Sequence, residues 1–200
     1  DDAGHHALLV ADTGAGKTLA GFLPTLAAFC PSRNNVPQDG LHTLYISPLK
    51  ALAHDVQRNL VTPVEEMGLP LRIETRSGDT PSDRRKRQRS RPPHVLLTTP
   101  ESLSLLLSYP DSFELFAGLE RVIVDEVHAF ATGKRGDLLA LSMSRLQAIA
   151  PNLRRAALSA TVADPEAFRE WLAPWGEIDS VALVEGERGA PPEVEILLPE

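Results

Sequence analysis

The sequence has 200 residues and a single cysteine, Cys30, so it forms no intrachain disulfide and has too few thiols for a four-cysteine zinc site. It contains no apolar run near the roughly 18 residues that a membrane-spanning helix needs. It opens on Asp1-Asp2, without an initiating methionine or the basic and apolar stretches of a signal peptide. We therefore expect a fragment cut at both ends, from a reducing compartment and with no membrane partner.

An excess of positive charge is also lacking, because 27 acidic and 20 basic residues give a net charge of −7. An acidic total argues against a protein that coats polyanions in general, but it leaves room for a local cationic track. The run Arg84–Arg91 stands out against this background, with six cations in eight residues. It forms either a solvated helix face or a contact with phosphates or with another domain of the parent protein.

Seven short, mostly apolar runs alternate with helix-length stretches, a pattern typical of parallel strands buried on both faces. The predicted strands are Ala7–Val10, Thr43–Ile46, Leu71–Ile73, Val95–Leu97, Val122–Val124, Ala156–Leu158 and Val181–Val184. We predict a three-layer α/β domain with a mainly parallel central sheet over residues 1–185. Residues 186–200 are predicted to hold a linker and the start of a second domain.

Helix starts are marked where a capping residue precedes proline, at Ser47-Pro48, Thr99-Pro100 and Asp164-Pro165. A further helix is expected from residue 17 to residue 29. Trp171 and Trp175, four residues apart near a helix end, are predicted to pack into the core rather than stack on a base.

The segment from Ala11 to Thr18 follows a predicted strand and opens a predicted helix, which is the context of a phosphate-binding loop. Glycines at positions 14 and 16 allow backbone N–H groups to turn toward phosphate oxygens, and the helix N-terminus adds its dipole. Lys17 is predicted to reach the β- and γ-phosphates, and Thr18 to ligate Mg²⁺. The candidate nucleotide-binding residues are Thr13, Gly14, Ala15, Gly16, Lys17 and Thr18.

A second motif ends the apolar run 122–124 with Asp125-Glu126-Val127-His128. Asp125 is predicted to hold Mg²⁺, and Glu126 to orient and deprotonate an attacking water. Taken alone, these acids also fit a solvated strand end. Ser159-Ala160-Thr161, directly after another strand, has hydroxyls that are placed to bond Glu126 or His128, although such residues are common in turns.

The order of these motifs resembles the first RecA-like motor domain of superfamily-two helicases of the DExH type. Further matches are Ser47-Pro48-Leu49-Lys50-Ala51-Leu52, Gly78-Asp79-Thr80 and Thr98-Thr99-Pro100-Glu101. Within the superfamily, the first of these and Lys134-Arg135-Gly136 are similar to the large helicase-related group. The segments 40–43, 74–80 and 92–101 look most like its ligase-associated DEXH-box branch.

The resemblance implies an ATP-driven motor with a P-loop, RecA-like fold that moves 3′ to 5′ along single-stranded DNA in DNA repair, with RNA as an alternative strand. It implies that His128, Ser159 and Thr161 couple hydrolysis to movement. It places the nucleic-acid track along Ser47, Pro48, Lys50, Gly78, Asp79, Thr99, Pro100 and Glu101. The implied partners are a second RecA-like domain of the same chain and a DNA ligase and nuclease, in a prokaryotic cytoplasm near the nucleoid.

Two rival functions stay open: an ATP-gated nucleic-acid clamp or remodeller that never separates strands, and a phosphate-loop ATPase acting on other substrates. Asp12 departs from the family, which usually has proline there, and introduces a carboxylate beside the phosphate loop. The family's adenine-reading segment and its arginine finger, worth about 10³–10⁵ in rate, lie outside this sequence. We therefore expect this domain alone to bind ATP weakly and hydrolyse it very slowly.

Overall fold

The computed structural model describes residues 6–12, 14–30, 39–130 and 132–186, without the side chains of residues 50–52 and 54. Seven strands form one parallel sheet in the order β3-β4-β2-β5-β6-β1-β7. The strands are β1 His6–Val10, β2 Thr43–Ile46, β3 Ile73–Arg76, β4 Val95–Thr98, β5 Arg121–Val124, β6 Arg154–Ser159 and β7 Val181–Glu185. The predicted α/β fold with a parallel sheet is confirmed.

In the part of the chain that the structure describes, seven α-helices connect these strands, together with three short 3₁₀ helices. The α-helices are α1 Lys17–Ala28, α2 Lys50–Glu66, α3 Ser82–Ser90, α4 Pro100–Leu107, α5 Ser112–Phe116, α6 Lys134–Ile149 and α7 Pro165–Leu172. The 3₁₀ helices are Val127–Phe130, Pro174–Gly176 and Ile178–Ser180. None of the described helices is both long and apolar enough to cross a membrane.

Apolar side chains cover both faces of the sheet. On one face, Phe22 of α1 and Val56 of α2 pack against strand residues such as Tyr45 and Leu158. On the other face, helices α4 to α7 bury a larger cluster that includes Leu103. Strands β2 and β4 are buried at every position. Burial on both faces explains why these strands are continuous apolar runs rather than alternating ones.

Two predicted boundaries differ from the structure. The strand predicted at Leu71–Ile73 instead begins at Ile73 and continues through polar residues to Arg76. The Arg72 N–H donates to the His94 ring, so it is not available for pairing in the sheet. Strand β3 lies at the edge of the sheet, where Glu74 contacts arginines of α3. An edge position tolerates a polar strand because only one side is fully covered.

The helix predicted to start at Ser47-Pro48 begins only at Lys50. The Ser47 N–H still donates to the Thr98 carbonyl at 3.0 Å, so the chain stays extended past the end of β2. The Ser47 hydroxyl bonds the Leu49 carbonyl at 3.1 Å, and Leu49 is itself extended (φ −128°, ψ 139°), so the helix begins only after Leu49.

The starts of α4 and α7 are confirmed, with proline at the first helical position of each. The Asp164 carboxylate accepts the Ala167 N–H at 3.1 Å, as expected for a capping residue. Trp171 packs against the larger core cluster, as predicted. The prediction for Trp175 is wrong, since its side chain is 81% exposed and its φ is +60°, so the backbone turns it away from the core.

Candidate nucleotide and nucleic-acid site

The sheet order divides its carboxyl edge into two groups of strands. Strands β5, β6 and β1 are adjacent: β6 ends at Ser159, and Asp125 and Ala11 directly follow β5 and β1. Strands β3, β4 and β2 form the other group, and the three predicted nucleic-acid segments follow their ends. All strands are parallel, so both groups lie at the same edge of the sheet, where ligands bind in open α/β sheets.

The phosphate-loop candidate forms a tight turn between β1 and α1. Gly14 has φ +85° and Gly16 has φ +81°, conformations that side chains other than glycine rarely adopt. Ala15 N–H donates to the Asp12 carbonyl at 3.1 Å. The Lys17 ammonium donates to the Ala11 carbonyl and, at 2.8 Å, to the Asp12 carbonyl. The loop therefore surrounds its own lysine, while Thr13 lies outside the described residues.

Asp125 directly follows β5 and is 7% exposed. One carboxylate oxygen accepts the Glu126 N–H at 3.0 Å, and the other accepts the hydroxyl of Tyr45 on the adjacent strand β2. Burial, followed by the Asp125 charge, raises the pKa of Tyr45, so the phenol remains a donor. The sequence analysis missed Tyr45. A buried tyrosine hydroxyl needs a partner, so its place in an apolar strand was the available signal.

Glu126 stands at a sharp bend, with φ +48°, outside the range that most L-residues prefer. The bend separates β5 from the 3₁₀ helix Val127–Phe130. Strained backbone is frequent in functional sites, and it persists only where the surrounding fold holds it in place. Here it turns the Glu126 side chain to within 3.4 Å of the His128 ring.

His128 joins the end of β5 to the end of β6. Its Nδ1 lies 2.8 Å from the hydroxyl of Ser159, which is fully buried. The same hydroxyl donates its one proton to the Thr161 carbonyl at 2.7 Å. Nδ1 must therefore carry the proton in the His128–Ser159 contact. The Ala11 N–H donates to the Ser159 carbonyl at 3.1 Å, which connects this chain of contacts to the phosphate loop.

The first nucleic-acid candidate follows β2. Ser47 and Pro48 are buried, and the Ser47 hydroxyl donates to the Leu49 carbonyl at 3.1 Å. Leu49 is 59% exposed, while the side chain of Lys50 lies outside the described set. Ser47 thus shapes the bend before α2, and the exposed side chain described at this bend is that of Leu49.

The second candidate, after β3, is a small loop with exposed Gly78 and Asp79. The Thr80 hydroxyl accepts the Ser77 N–H at 2.9 Å and closes the turn. Arg85 donates to the Thr80 carbonyl at 2.6 Å and lies 3.5 Å from the Gly78 carbonyl. An arginine of the basic run therefore supports this loop from within the protein.

The third candidate begins α4. Thr99 and Pro100 are buried, whereas Glu101 is about half exposed. Partial burial would raise the pKa of Glu101, but hydrogen bonds, chiefly from Arg135, lower it. The buried proline and the N-terminal position of Thr99 fit a helix start whose N–H groups face the carboxyl edge of the sheet.

The basic run Arg84–Arg91 contributes fewer free cations than its composition indicates. Arg84 and Arg87 contact Glu74, at 3.3 and 3.0 Å. Arg89 contacts Asp111 at 2.7 Å and lies over the Tyr109 ring. Helix α3 is thus tied to its own domain, which differs from both a freely solvated face and an open phosphate surface.

Taken together, a glycine-rich loop with its lysine, a buried strand-end aspartate, and a glutamate beside a histidine–serine contact define a P-loop, RecA-like motor domain. The sequence profile of the DEAD/DEAH box helicases matches residues 2–168. The chain belongs to this helicase family.

Two relatives and one solved structure show that the chain is similar to the large helicase-related (Lhr) proteins. The chain is 46% identical over 182 residues to the Lhr helicase/probable uracil glycosylase of Mycolicibacterium smegmatis, covering 85% of this chain and 12% of that protein. It is 42% identical over 170 residues to the ATP-dependent helicase Lhr-Core of Methanocaldococcus jannaschii, covering 80% and 20%. The structure of Mycobacterium smegmatis Lhr bound to ssDNA and AMP-PNP has a TM-score of 0.82 at 41% identity, covering 94% and 24%.

The chain therefore spans a quarter or less of the length of these relatives.

Proposed function

We propose that this domain is the ATP-binding part of an ATP-dependent helicase or translocase that moves 3′ to 5′ along single-stranded DNA in DNA repair. The observation that carries the proposal is the contact of His128 with both Glu126 and Ser159, at 3.4 and 2.8 Å. It joins the acid suited to activating water with a strand end beside the phosphate loop.

The relatives support the choice of ligands. The similar Mycobacterium structure is described as bound to ssDNA and AMP-PNP, an ATP analogue, and it covers 94% of this chain. We carry both ligand classes over to this domain as part of the proposal. The polarity and the repair role rest on the family resemblance alone.

We assign the nucleotide roles residue by residue. The N–H groups of residues 14–16 and the Lys17 ammonium would bind phosphates, with Lys17 exchanging its carbonyl contacts for phosphate oxygens. Glu126 would orient the attacking water and accept its proton. His128, Ser159 and Thr161 would transmit the state of that carboxylate to the end of β6.

The oxygen donors present fit Mg²⁺, which takes one or two protein oxygens and completes its shell with water and phosphate. Asp125 and Thr18 are such donors, and each Asp125 oxygen keeps a second lone pair beyond its hydrogen bond inside the protein. Mg²⁺ held there would neutralise charge developing on the phosphates. No larger cluster of metal-binding side chains is present among the described residues.

The proposal extends to the parts of the protein beyond this domain. Residues 187–200 lie outside the described set, so the linker and second RecA-like domain stay predictions. So do the ligase-associated branch, a ligase and nuclease as partners, and a cytoplasmic location. We further propose that this domain, without a second motor domain, does not unwind DNA, since half of a composite ATP site is elsewhere.

The test uses the full-length protein that contains this domain. ATP turnover is measured with and without single-stranded DNA, and strand displacement is measured on duplexes with a 3′ or a 5′ single-stranded tail. We expect DNA to stimulate turnover and only the 3′-tailed duplex to be separated. The same assays with Glu126→Gln show whether both activities depend on this site. Glu120→Gln is the matched control, because Glu120 is an exposed acid at the opposite end of β5.

Each other outcome identifies a different function. Stimulated turnover without displacement on either duplex would indicate a clamp or remodeller. Turnover unaffected by DNA and RNA would indicate an ATPase with another substrate and would contradict the proposal. Stimulation by RNA alone would show that the bound strand is RNA rather than DNA, while the proposed motor activity would still hold.

A further inference from the structure

Arg135, the second residue of α6, contacts two of the three candidate nucleic-acid segments at once. Its Nε donates to one Glu101 oxygen at 2.6 Å, and its Nη2 lies 3.4 Å from the other. The same Nη2 donates to the Pro48 carbonyl at 2.9 Å. One planar guanidinium therefore fixes the start of α4 relative to the bend after β2, a geometry that a lysine ammonium cannot reproduce.

The position of Arg135 is itself set by the segment that carries His128. Gly133 has φ +88° and begins the turn into α6. A Cβ at Gly136 would lie 2.2 Å from the Phe130 carbonyl oxygen, so α6 approaches the 3₁₀ helix Val127–Phe130 as closely as glycine permits. A shift of that 3₁₀ helix would therefore move Arg135 as well.

The ion pair between Arg135 and Glu101 contributes little to the folding stability of the domain. The side chains of Arg135 and Glu101 are 44% and 52% exposed. Exposed pairs contribute little to folding stability, because water screens them and holding two long side chains costs entropy. Its effect is therefore expected in the relative placement of the segments rather than in folding.

We propose that Arg135 is a positioning residue that couples the nucleotide half of the site to the nucleic-acid half. Through the Pro48 carbonyl and Glu101, it holds two strand-binding segments against the 3₁₀ helix that follows Glu126. Strand binding and ATP turnover then act on one another through this guanidinium. The inference rests on the proposed function, since it needs the segments at residues 47–49 and 99–101 to bind DNA.

The experiment compares Arg135→Ala, Glu101→Gln and the double variant in the full-length protein. Three quantities are measured: basal ATP turnover, the KM for ATP, and the DNA concentration that gives half-maximal stimulation. We expect that DNA concentration to rise about 5-fold or more, the lower end of typical coupling between sites. For Arg135→Ala, basal turnover and the KM for ATP should stay unchanged. The double variant should be no worse than Arg135→Ala, because both changes remove the same contact.

Arg145→Ala is the matched control. Arg145 is on the same helix and donates to the Leu107 carbonyl at 2.8 Å, so it also joins α6 to α4, away from the candidate segments. Its loss should leave DNA stimulation at the wild-type level. Equal behaviour of Arg135→Ala and Arg145→Ala would overturn the inference.

Direct phosphate binding by Arg135 would overturn it in a different way. In that case Glu101→Gln would not weaken DNA binding, and Arg135→Ala would reduce the slope of log affinity against log salt by about 1. Wild-type turnover that ignores DNA would instead contradict the proposed function, and the inference with it, so the two failures are distinguishable.

Discussion

The carboxyl edge of the sheet has two halves: the candidate nucleotide half after β1, β5 and β6, and the candidate nucleic-acid half after β2, β3 and β4. The two halves are built from different kinds of contact. In the nucleotide half, side chains meet one another: the buried Tyr45 donates to the buried Asp125, and the buried Ser159 contacts the partly exposed His128. In the nucleic-acid half, arginines support backbone carbonyls of exposed segments, as Arg85 does for the loop after β3. The first arrangement fixes atoms at positions where chemistry requires them. The second leaves main-chain surface for contacts that read no sequence.

This difference explains why charge in the sequence is a poor guide to the nucleic-acid half. The densest cationic run contacts Glu74 and Asp111 of its own domain, whereas the isolated Arg135 connects two candidate segments. Contacts to phosphate from helix N-termini and backbone N–H groups need little side-chain charge. A net charge of −7 is therefore compatible with a nucleic-acid motor.

The largest effect is expected from Glu126→Gln in the nucleotide half of the full-length protein. An amide of the same size cannot accept the proton from water, so kcat for ATP should fall by about 10²–10⁴-fold. ATP binding should persist. Steady-state turnover and equilibrium nucleotide binding measure the two effects separately. Loss of binding with unchanged kcat would remove Glu126 from the catalytic role.

Lys17→Ala is expected to weaken Mg·ATP binding by about 10–100-fold, the value of one charge-assisted contact of roughly 1.5–3 kcal/mol. Calorimetry on this domain and on the full-length protein measures the change. Lys134→Ala is a control, because Lys134 is an exposed lysine that also begins a helix. Equal binding by Lys17→Ala and wild type would exclude the phosphate-loop assignment.

Ser159→Ala should have a smaller effect, which is a weaker coupling between ATP turnover and strand displacement. We expect this coupling to fall about 10-fold, within the range that is typical of linked sites. Removing the hydroxyl leaves His128 without its 2.8 Å partner while Glu126 remains in place. We expect ATP turnover to continue and strand displacement per ATP to fall. Parallel loss of both activities would show that Ser159 supports hydrolysis itself.

The smallest effect is expected in the basic run. Arg87→Ala removes one of several donors to Glu74, and the Arg87 side chain is 57% exposed. Surface changes of this kind stay within about 0.5 kcal/mol, or roughly 2-fold in DNA affinity. A fluorescence titration with single-stranded DNA measures it. A loss of DNA affinity near that of Arg135→Ala would show that the basic run contacts the DNA strand. It would contradict the view that this run serves only its own domain.

Local sequence signals worked where one element determines its own form. The apolar runs predicted six of the seven strands within a residue or two, and the dipeptides at 99–100 and 164–165 predicted helix starts. They failed where a neighbour competes for the same backbone group. The chain stays extended from Ser47, which pairs with β4, to Leu49, so α2 starts late, and β3 extends through polar residues because it is an edge strand.

The candidate site was predictable as a set of residues, because glycines, a lysine and strand-end acids have few other uses in this order. Its geometry was not predictable. Trp175, expected in the core, is exposed because its backbone turns outward at φ +60°. Tyr45 and Arg135 gain their roles only from partners far away in the chain.

The sequence by itself determined the class of fold, the phosphate-loop and DEVH motifs, and the family, because each depends on residues close together along the chain. The tertiary structure decided the strand order β3-β4-β2-β5-β6-β1-β7, which separates the two halves of the edge. It also decided which cations pair with acids of their own domain and which one connects two of the candidate segments. Those outcomes depend on contacts between distant segments, and a linear pattern does not state which distant groups come within 3 Å of each other.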